Sequence, residues 1–346
     1  MKINERVEGL VQWGHAISAL IEEMESAAEG DSSPLKYIEI QAHRANPWFM
    51  PANVHRALKA ISVWLDRKQL DQWVEKYQGL QQDLVSERSI GIIMAGNIPL
   101  VGFHDLLCVL ISGNKAIIKC SSDDNVLLPF LLEVLERVSP EFAGYFQLSE
   151  RFGDMDAVIA TGSNNTSRYF DYYFGRKPHI IRKNRNSVAV LTGDESDAEL
   201  ALLGDDIFSY FGLGCRNVSK LYVPADYSFD RFFGNMEVYG ELINHNKYMN
   251  NYDYHRALYL LNSEPFLTNN FLSVREHTAL QTPVSVLHFE RYADKGDVMK
   301  KLQDEQDKIQ CIVGKEFLPF GSSQQPGLTD YADGVDTLQF LLDLQK

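Results

Sequence analysis

The feature that most limits the fold is a regular alternation of short apolar runs with amphipathic helical segments, which begins near residue 89. Residues 89–95 and 115–119 are predicted to be buried strands, and residues 103–111 between them are predicted to be a helix. The same alternation continues to residue 191. Strands that alternate with helices form mostly parallel sheets with helices on both faces. We therefore expect an α/β fold that binds ligands near the carboxyl ends of its strands.

The segments on either side of this region extend the prediction. Apolar residues recur at helical spacing over residues 6–27 and 53–85, which predicts a helical N-terminal region. A second α/β block follows the first, with strands predicted at residues 219–223 and 284–289. The length of 346 residues agrees with two domains at roughly 150 residues each.

Charge and composition exclude several classes of protein. The net charge of -14 argues against an extended nucleic-acid surface, which needs clustered cations. The most apolar stretch, residues 90–111, contains His104 and Asp105, so we expect no membrane anchor. The N-terminus lacks the pattern of a signal peptide, and the cysteines form no CxxC pair. These features predict a cytoplasmic protein with reduced thiols and no metal site.

The cysteines differ in their local context. Three of the four lie in predicted helices or strands, where a small buried hydrophobic residue is ordinary: Cys108, Cys120 and Cys311. Cys215 instead follows Gly212-Leu213-Gly214, whose glycines let the backbone approach a ligand closely. The adjacent Arg216 is a cation that could lower the pKa of the thiol. From these residues alone, a nucleophile and an inert thiol are equally good interpretations of Cys215.

Two loops at the ends of predicted strands carry polar groups. Asn97 follows the first strand, and its side-chain amide could stabilise an oxyanion, although capping a turn is the more common role. Gly162 and Ser163 follow a strand predicted at residues 157–160 and open a helix, whose backbone N–H groups could hold a pyrophosphate. The GxGxxG pattern is absent, which disfavours a Rossmann-type dehydrogenase.

Together, these motifs resemble the aldehyde dehydrogenase superfamily, and within it the acyl-CoA reductase branch that supplies fatty aldehyde to bacterial luciferase. The resemblance depends on the order and spacing of residues 96–100, 113–119, 161–163 and 212–219. Closer to the reductase branch are residues 46–49, 319–321 and 331–336. The fold implied is aldehyde-dehydrogenase-like, with two α/β domains, mostly parallel sheets and an N-terminal helical region.

The resemblance also implies a domain plan and a set of site residues. The plan is a helical region at residues 1–88, a dinucleotide-binding domain at 89–195, a catalytic domain at 196–322 and a returning C-terminal segment at 323–346. Cys215 would be the nucleophile and Asn97 an oxyanion donor. Lys119 would bind the adenosine ribose, and Gly162 and Ser163 would bind the pyrophosphate.

The direction of the reaction follows from a missing carboxylate. Aldehyde oxidation in this superfamily ends in hydrolysis by water that a Glu activates, and this chain has Arg182 at that position. No Asp or Glu occurs between Asp171 and Asp194, so we expect reduction of an acyl thioester to an aldehyde. Relatives specific for NAD have a Glu where this chain has Ser122, whose hydroxyl suits a 2′-phosphate, so NADPH is expected over NADH.

Substrates, partners and alternatives complete the expectation. The substrate would be acyl-CoA or another acyl thioester, and the resemblance implies a homo-oligomer that works with an acyl-activating enzyme. An acyl carrier or transferase without redox turnover and a non-catalytic binding subunit stay open as alternatives. The basic residues of 176–185 either contact phosphates of CoA or form a solvated face. Asp330, Asp333 and Asp336 are predicted to form turns and helix caps.

Overall fold

The computed structural model describes residues 1–26, 33–81, 87–162 and 164–344, with only the backbone of residues 164 and 165. The described chain divides into two compact units. The first unit comprises Met1–Lys183 and Gly327–Lys346, and the second comprises Asn184–Pro326. The functional domain plan of the sequence analysis stays a prediction.

The elements follow one another in the order that the alternation predicts. The helices of the described chain are α1 (Ile3–Ser26), α2 (Pro34–Ala45), α3 (Pro51–Trp64), α4 (Arg67–Glu75), α5 (Phe103–Ser112), α6 (Leu127–Val138), α7 (Asn164–Phe174), α8 (Asp197–Phe208), α9 (Asp230–Met236), α10 (Asn246–Leu261), α11 (Lys295–Asp304) and α12 (Thr337–Asp343). The strands are β1 (Ser89–Ile93), β2 (Lys115–Lys119), β3 (Phe146–Leu148), β4 (Ala157–Thr161), β5 (His179–Arg182), β6 (Asn186–Val190), β7 (Val218–Pro224), β8 (Leu267–Thr268), β9 (Ser273–Glu276), β10 (Val286–Tyr292) and β11 (Ile309–Val313). Across the described ranges, no helix has the length and apolarity needed to cross a bilayer.

The N-terminal region is helical, as the apolar spacing predicts. Over residues 53–75 the pattern corresponds to α3 and α4, because Asp66 interrupts it and caps α4 by accepting hydrogen bonds from the backbone N–H groups of Lys68 and Gln69. Residues 27 and 82–85 of the predicted helices lie outside the described residues. Helix α2 was not predicted from the sequence. Its start carries a common signal, since Ser33 is the N-cap and Pro34 is the first helical residue.

The sheet of the first unit is parallel and buried on both faces. In the described chain its strand order is β3-β2-β1-β4-β5. Ile90 and Ile92 of β1 pack into the core that contains the N-terminal helices, whereas Ile93 points to the opposite face, which α7 covers. Because side chains alternate along a strand, each strand serves both cores. The prediction of an α/β fold with mostly parallel sheets is confirmed.

The second unit contains its own sheet and core. The strand order of this sheet, within the described residues, is β11-β6-β7-β10-β9-β8. All neighbouring pairs are parallel except β8 and β9, which are antiparallel. Val188 of β6 and Tyr222 of β7 pack against Val298 of α11, which closes one face of the sheet. Strands predicted from β-branched and aromatic runs are therefore present in this unit as well.

A buried ion pair joins the C-terminal segment to the sheet of the first unit. Arg182, the last residue of β5, donates two hydrogen bonds to the Asp105 carboxylate of α5, at 3.1 and 2.6 Å. It also donates to the backbone oxygen of Ala332 at 2.6 Å and to Oγ1 of Thr337 at 2.7 Å. Burial lowers the pKa of Arg182, but the charge and hydrogen bonds of Asp105 outweigh it and raise that pKa. The guanidinium therefore stays charged, and four hydrogen bonds satisfy most of its N–H groups.

Replacing Arg182 tests this ion pair. Arg182→Gln leaves the Asp105 carboxylate buried without its cation, so the free energy of unfolding should fall by about 3–5 kcal/mol. Urea denaturation followed by circular dichroism measures the change. Arg176→Gln makes the same substitution on an exposed side chain and should lower the free energy of unfolding by less than about 1 kcal/mol. If Arg182→Gln lowers the free energy of unfolding no more than Arg176→Gln does, the ion pair does not stabilise the fold.

Candidate active site

Cys215 lies in the turn between α8 and β7 of the second unit, and its side chain is exposed. The other thiols are less accessible, because Cys108 is buried and Cys120 and Cys311 are partly buried. Burial raises the pKa of Cys108 well above its ordinary value and raises the pKa of Cys120 to about 11. A thiol with a raised pKa is a poor nucleophile at neutral pH. Among the four thiols, Cys215 is therefore the most accessible to a substrate.

One buried side chain closes the turn that carries Cys215. The Asn217 side chain is 3% exposed, and its Oδ1 accepts a hydrogen bond from the backbone N–H of Gly214 at 2.8 Å. Its Nδ2 donates to the backbone oxygens of Asp206, Ile207 and Ser209, at 3.2, 3.4 and 2.8 Å. These oxygens lie at the C-terminal end of α8, where carbonyls lack helical partners. Asn217 therefore fixes the turn to the helix that precedes it.

The backbone before Cys215 adopts an unusual conformation. Tyr210, Phe211 and Gly212 have successive positive φ angles of 51°, 59° and 76°. Two bulky residues in the left-handed region cost on the order of 1–3 kcal/mol each, and surrounding contacts must offset this cost. Phe211 is buried, and its ring packs against His245 with centroids 4.3 Å apart. Strain held in place by packing is typical of functional turns.

A buried carboxylate connects this region with a loop of the C-terminal half. Asp206 of α8 is fully buried, and its oxygens accept hydrogen bonds from the backbone N–H groups of Gly321 at 2.7 Å and Ser323 at 2.9 Å. Burial raises the pKa of Asp206. Arg216, next to Cys215, donates from Nε to the backbone oxygen of Ser323. The segment 321–323, which begins at the last residue of the 319–321 motif, therefore contacts both α8 and the Cys215 turn.

Ser187 and Cys311 lie beside the backbone of the same turn. The Ser187 hydroxyl donates to the backbone oxygen of Cys215 at 3.0 Å and lies 3.0 Å from the sulfur of Cys311. Ser187, Asp206 and Asn217 were not predicted as site residues from the sequence. The partners of Ser187 and Asp206 lie 28 to 124 residues away along the chain. The partners of Asn217 lie only 3 to 11 residues away, and the neighbouring pair Arg216-Asn217 was the one local signal.

In the first unit, Asn97 lies in the loop that follows β1, and its side chain is exposed. The loop is held by Asn46, whose Nδ2 donates to the backbone oxygens of Gly96 at 3.2 Å and Asp123 at 3.3 Å. An added Cβ at Gly96 would lie 2.8 Å from the Cβ of Ser121, so only glycine fits there. The early Asn46 motif therefore joins the loops that follow β1 and β2.

The buried side chain of Asp124 supports the loop that contains Asn97. Its Oδ2 accepts a hydrogen bond from the backbone N–H of Leu100 at 2.7 Å, and Leu100 has a φ of 57°. Oδ1 has no hydrogen-bond partner among the described residues. Burial raises the pKa of Asp124 to about 7. A carboxylate that titrates near neutral pH therefore holds the loop of Asn97.

The predicted cofactor-binding residues lie at the carboxyl ends of two strands. Lys119 ends β2 with an exposed side chain, and Ser122 is exposed in the turn that follows. Gly162 follows β4 just before α7, and an added Cβ would meet Phe170 at 3.0 Å and Thr166 at 3.1 Å. Ser163 lies outside the described residues. The roles of all four in cofactor binding stay predictions.

Other polar candidates have structural roles. Nε2 of His104 lies 3.0 Å from the backbone oxygen of Leu328, and burial lowers the pKa of this His. Asp336 caps α12, and Asp330 accepts a hydrogen bond from the backbone N–H of Gly327, as predicted for turns and caps. The interpretation of Arg182 as part of a solvated or phosphate-binding basic group is wrong, because its side chain is 4% exposed and paired with Asp105.

Similar solved structures define the class of fold. Aldehyde dehydrogenase 21 from Physcomitrella patens, in complex with the reaction product succinate, matches with a TM-score of 0.68 and 13% identity over 100% of this chain and 85% of that chain. The aldehyde dehydrogenase KauB from Pseudomonas aeruginosa matches with a TM-score of 0.63 and 13% identity over 90% of this chain and 72% of that chain. The fold is therefore that of aldehyde dehydrogenases.

The sequence itself defines the family. The family model described as acyl-CoA reductase (LuxC) matches residues 20–230, which is more than half of the chain. The protein belongs to the acyl-CoA reductase (LuxC) family. No curated protein matches the sequence significantly. Family and fold together indicate an oxidoreductase that acts on aldehyde or acyl groups.

The raised pKa of Asp124 predicts a pH dependence of stability. Since the folded-state pKa of about 7 exceeds the ordinary carboxyl value, the folded state binds more protons, and stability is lost as pH rises from about 4 to 7. Asp124→Asn removes this titration. Relative to the wild type, the variant should gain stability between pH 5 and pH 8, by up to about 3 kcal/mol, because each of the two pH units from 5 to the folded-state pKa of about 7 contributes about 1.4 kcal/mol.

Urea denaturation at both pH values measures this gain. Asp123→Asn is the matched control, because it makes the same change on the exposed neighbouring side chain. A stability difference between Asp124→Asn and the wild type that is equal at pH 5 and pH 8 would contradict the prediction.

Proposed function

We propose that the protein is an acyl-CoA reductase that converts an acyl thioester into an aldehyde with NADPH, through an acyl-enzyme on Cys215. The observation that carries this assignment is the exposed thiol of Cys215 in a turn closed by the buried Asn217 side chain. A fixed backbone with an accessible side chain suits a nucleophile. The raised pKa values of Cys108 and Cys120 disfavour both as alternatives.

Acylation of Cys215 is the first proposed step. The thiolate attacks the carbonyl carbon of acyl-CoA, a new carbon–sulfur bond forms, and the CoA thiolate leaves. We assign the backbone N–H of Cys215 and the side-chain amide of Asn97 as donors to the oxyanion. A preorganised donor of this kind contributes on the order of 3 kcal/mol to the transition state. The Asn46 and Asp124 contacts support this role, since they order the loop of Asn97.

The fate of the thioester sets the direction of the reaction. Hydrolysis needs a general base near the thioester, and residues 172–193 contain no Asp or Glu. Arg182, at the position of the expected base, is held in the ion pair with Asp105. The acyl group therefore stays on Cys215 until it is reduced. The nicotinamide cofactor, when bound, supplies the hydride for that reduction.

The residues at the strand ends of the first unit fit such a cofactor. We propose that Lys119 and Ser122 bind the adenosine ribose and its 2′-phosphate, because an ammonium and a hydroxyl both donate to phosphate oxygens. Gly162 and Ser163 are proposed to bind the pyrophosphate at the start of α7, where helix N–H groups point outward. An added Cβ at Gly162 would contact Phe170 and Thr166 of α7, so the glycine lets β4 pass closely into the helix that would present these N–H groups.

The resemblance extends the proposal to partners. We propose a homo-oligomer that receives fatty acyl groups from an acyl-activating enzyme. The family supports an acyl substrate, while the chain length of that substrate is left to the acylation experiment below.

Acylation of Cys215 is directly measurable. Incubation with acyl-CoA of several chain lengths, without reduced cofactor, should add one acyl mass to the wild-type protein. Peptide mapping should assign that mass to Cys215, and Cys215→Ser should lack both the adduct and acyl-CoA-dependent NADPH oxidation. Cys120→Ser is the matched control, because it makes the same change on a thiol whose pKa is about 11, and it should keep the adduct.

Two outcomes would contradict the proposal. An adduct that persists on another residue in Cys215→Ser would remove the nucleophile assignment. Acylation of Cys215 without any oxidation of NADPH or NADH would instead favour an acyl carrier or transferase.

The role of Asn97 is tested separately. Asn97→Ala removes a proposed oxyanion donor but not the acyl-binding contacts, so kcat should fall by about 10²–10³-fold with little change in KM for acyl-CoA. Steady-state NADPH oxidation gives both constants, and urea denaturation checks that the variant is folded. A kcat within threefold of the wild-type value would exclude this role.

A further inference from the structure

A cavity of about 430 Å³ lies within the first unit. Part of its wall combines cationic and aromatic side chains: Lys119, Arg151, Lys177, Phe152, Tyr173 and Phe174. Phe152 and Phe174 pack with Ile117 on the sheet face that α7 covers. Side chains alternate along β2, so Lys119 projects to the same face as Ile117. A wall of rings and cations suits a flat base with an attached phosphate.

The topology of the sheet brings Lys119 and Arg151 together. β2 and β3 are neighbouring parallel strands, with Ile118 opposite Leu148. Lys119 ends β2, and Arg151 follows the end of β3 by three residues, so both lie near the carboxyl edge. The Ser149 hydroxyl donates to the backbone oxygen of Arg151, which fixes the start of the connecting loop. Two cations from adjacent strand ends therefore line one cavity.

The cations of this cavity differ in their partners. Nζ of Lys177 donates to Asp154 at 3.1 Å and to the backbone oxygen of Met155, so its charge is compensated. Neither Lys119 nor Arg151 forms an ion pair with any residue that the structure describes. Glu150 also lines the cavity and opposes part of this positive charge. The cavity therefore keeps Lys119 and Arg151 as cations that can meet an anionic ligand.

We propose that Arg151 binds the 2′-phosphate of NADPH and thereby determines the choice of NADPH over NADH. This proposal rests on the proposed function, in which Lys119 and Ser122 bind the adenosine ribose and its 2′-phosphate, and it adds Arg151 as a further ligand of that phosphate. A 2′-phosphate carries up to two negative charges, and the planar guanidinium can donate two parallel hydrogen bonds to it. NADH has a hydroxyl at this position, so Arg151 contributes little to its binding.

Nucleotide fragments test the proposal without turnover. Isothermal titration calorimetry with 2′,5′-ADP, which carries the 2′-phosphate, and with 5′-ADP, which lacks it, measures both affinities. Arg151→Ala should weaken binding of 2′,5′-ADP by about tenfold or more and change binding of 5′-ADP by less than twofold. Arg151→Lys, which keeps the charge but loses the planar fork, should fall between the alanine variant and the wild type.

Arg168→Ala is the matched control, because it removes one positive charge from an exposed position of α7 outside the cavity wall. It should leave both affinities within twofold. If Arg168→Ala and Arg151→Ala weaken binding of 2′,5′-ADP equally, the net charge of the protein explains the loss of affinity and the proposal is overturned. So would an unchanged affinity in Arg151→Ala, or a wild type that does not prefer 2′,5′-ADP.

A failure of the Arg151 proposal can be distinguished from a failure of the proposed function. Acylation of Cys215 by acyl-CoA is measured without any cofactor, so it can succeed while the Arg151 proposal fails. NADH-dependent reduction with an acylated Cys215 would keep the reductase and remove only the assignment of Arg151.

Discussion

The buried ion pair between Asp105 and Arg182 is the interaction on which the first unit most depends. Removing two charges from water costs free energy unless hydrogen bonds satisfy their donors and acceptors. Here the backbone oxygen of Ala332 and the hydroxyl oxygen of Thr337 accept further hydrogen bonds from the guanidinium of Arg182. The pair therefore joins α5, β5 and the C-terminal segment at one point. The same Arg stands where aldehyde-oxidising relatives are expected to have a water-activating Glu, so one residue serves the fold and is consistent with the proposed reduction.

The turn of Cys215 follows a different physical principle. Left-handed backbone at Tyr210 and Phe211 raises the energy of the turn, and the buried Asn217 offsets part of it with several hydrogen bonds. Asp206 extends the network to Gly321 and Ser323. The hydrogen bonds of the buried Asn217 and Asp206 side chains offset part of the free energy needed to order the turn, while the thiol of Cys215 stays accessible. Such a division between a rigid support and an accessible reacting atom is what preorganised catalysis requires.

Much of the fold was predictable from local pattern. Strand β2 coincides with its predicted bounds, and β4 ends one residue beyond them, because alternation and β-branched composition depend on neighbouring residues. Arg182 was misinterpreted because its chain neighbours are basic, whereas its partner Asp105 lies 77 residues away. Ser187 has the same limitation, since a polar residue does not reveal a partner 124 residues away. The partners of Asn217 lie within 11 residues, but the left-handed backbone that brings them together was not predicted from local pattern. Cys215 and Asn97 were found through ordered motifs, and their chemistry stays a proposal.

The C-terminal segment has a consequence for how the chain is made. Leu338 and Leu341 of α12 are fully buried in the core of the first unit, although residues 184–326 intervene between them and Lys183. A ribosome that adds about 5–20 residues per second needs roughly 7–30 s to synthesise that intervening stretch. During this interval the first unit exposes an apolar site that α12 later fills. The nascent protein therefore depends on α12, and termination before residue 337 would release a chain in which this part of the core is open.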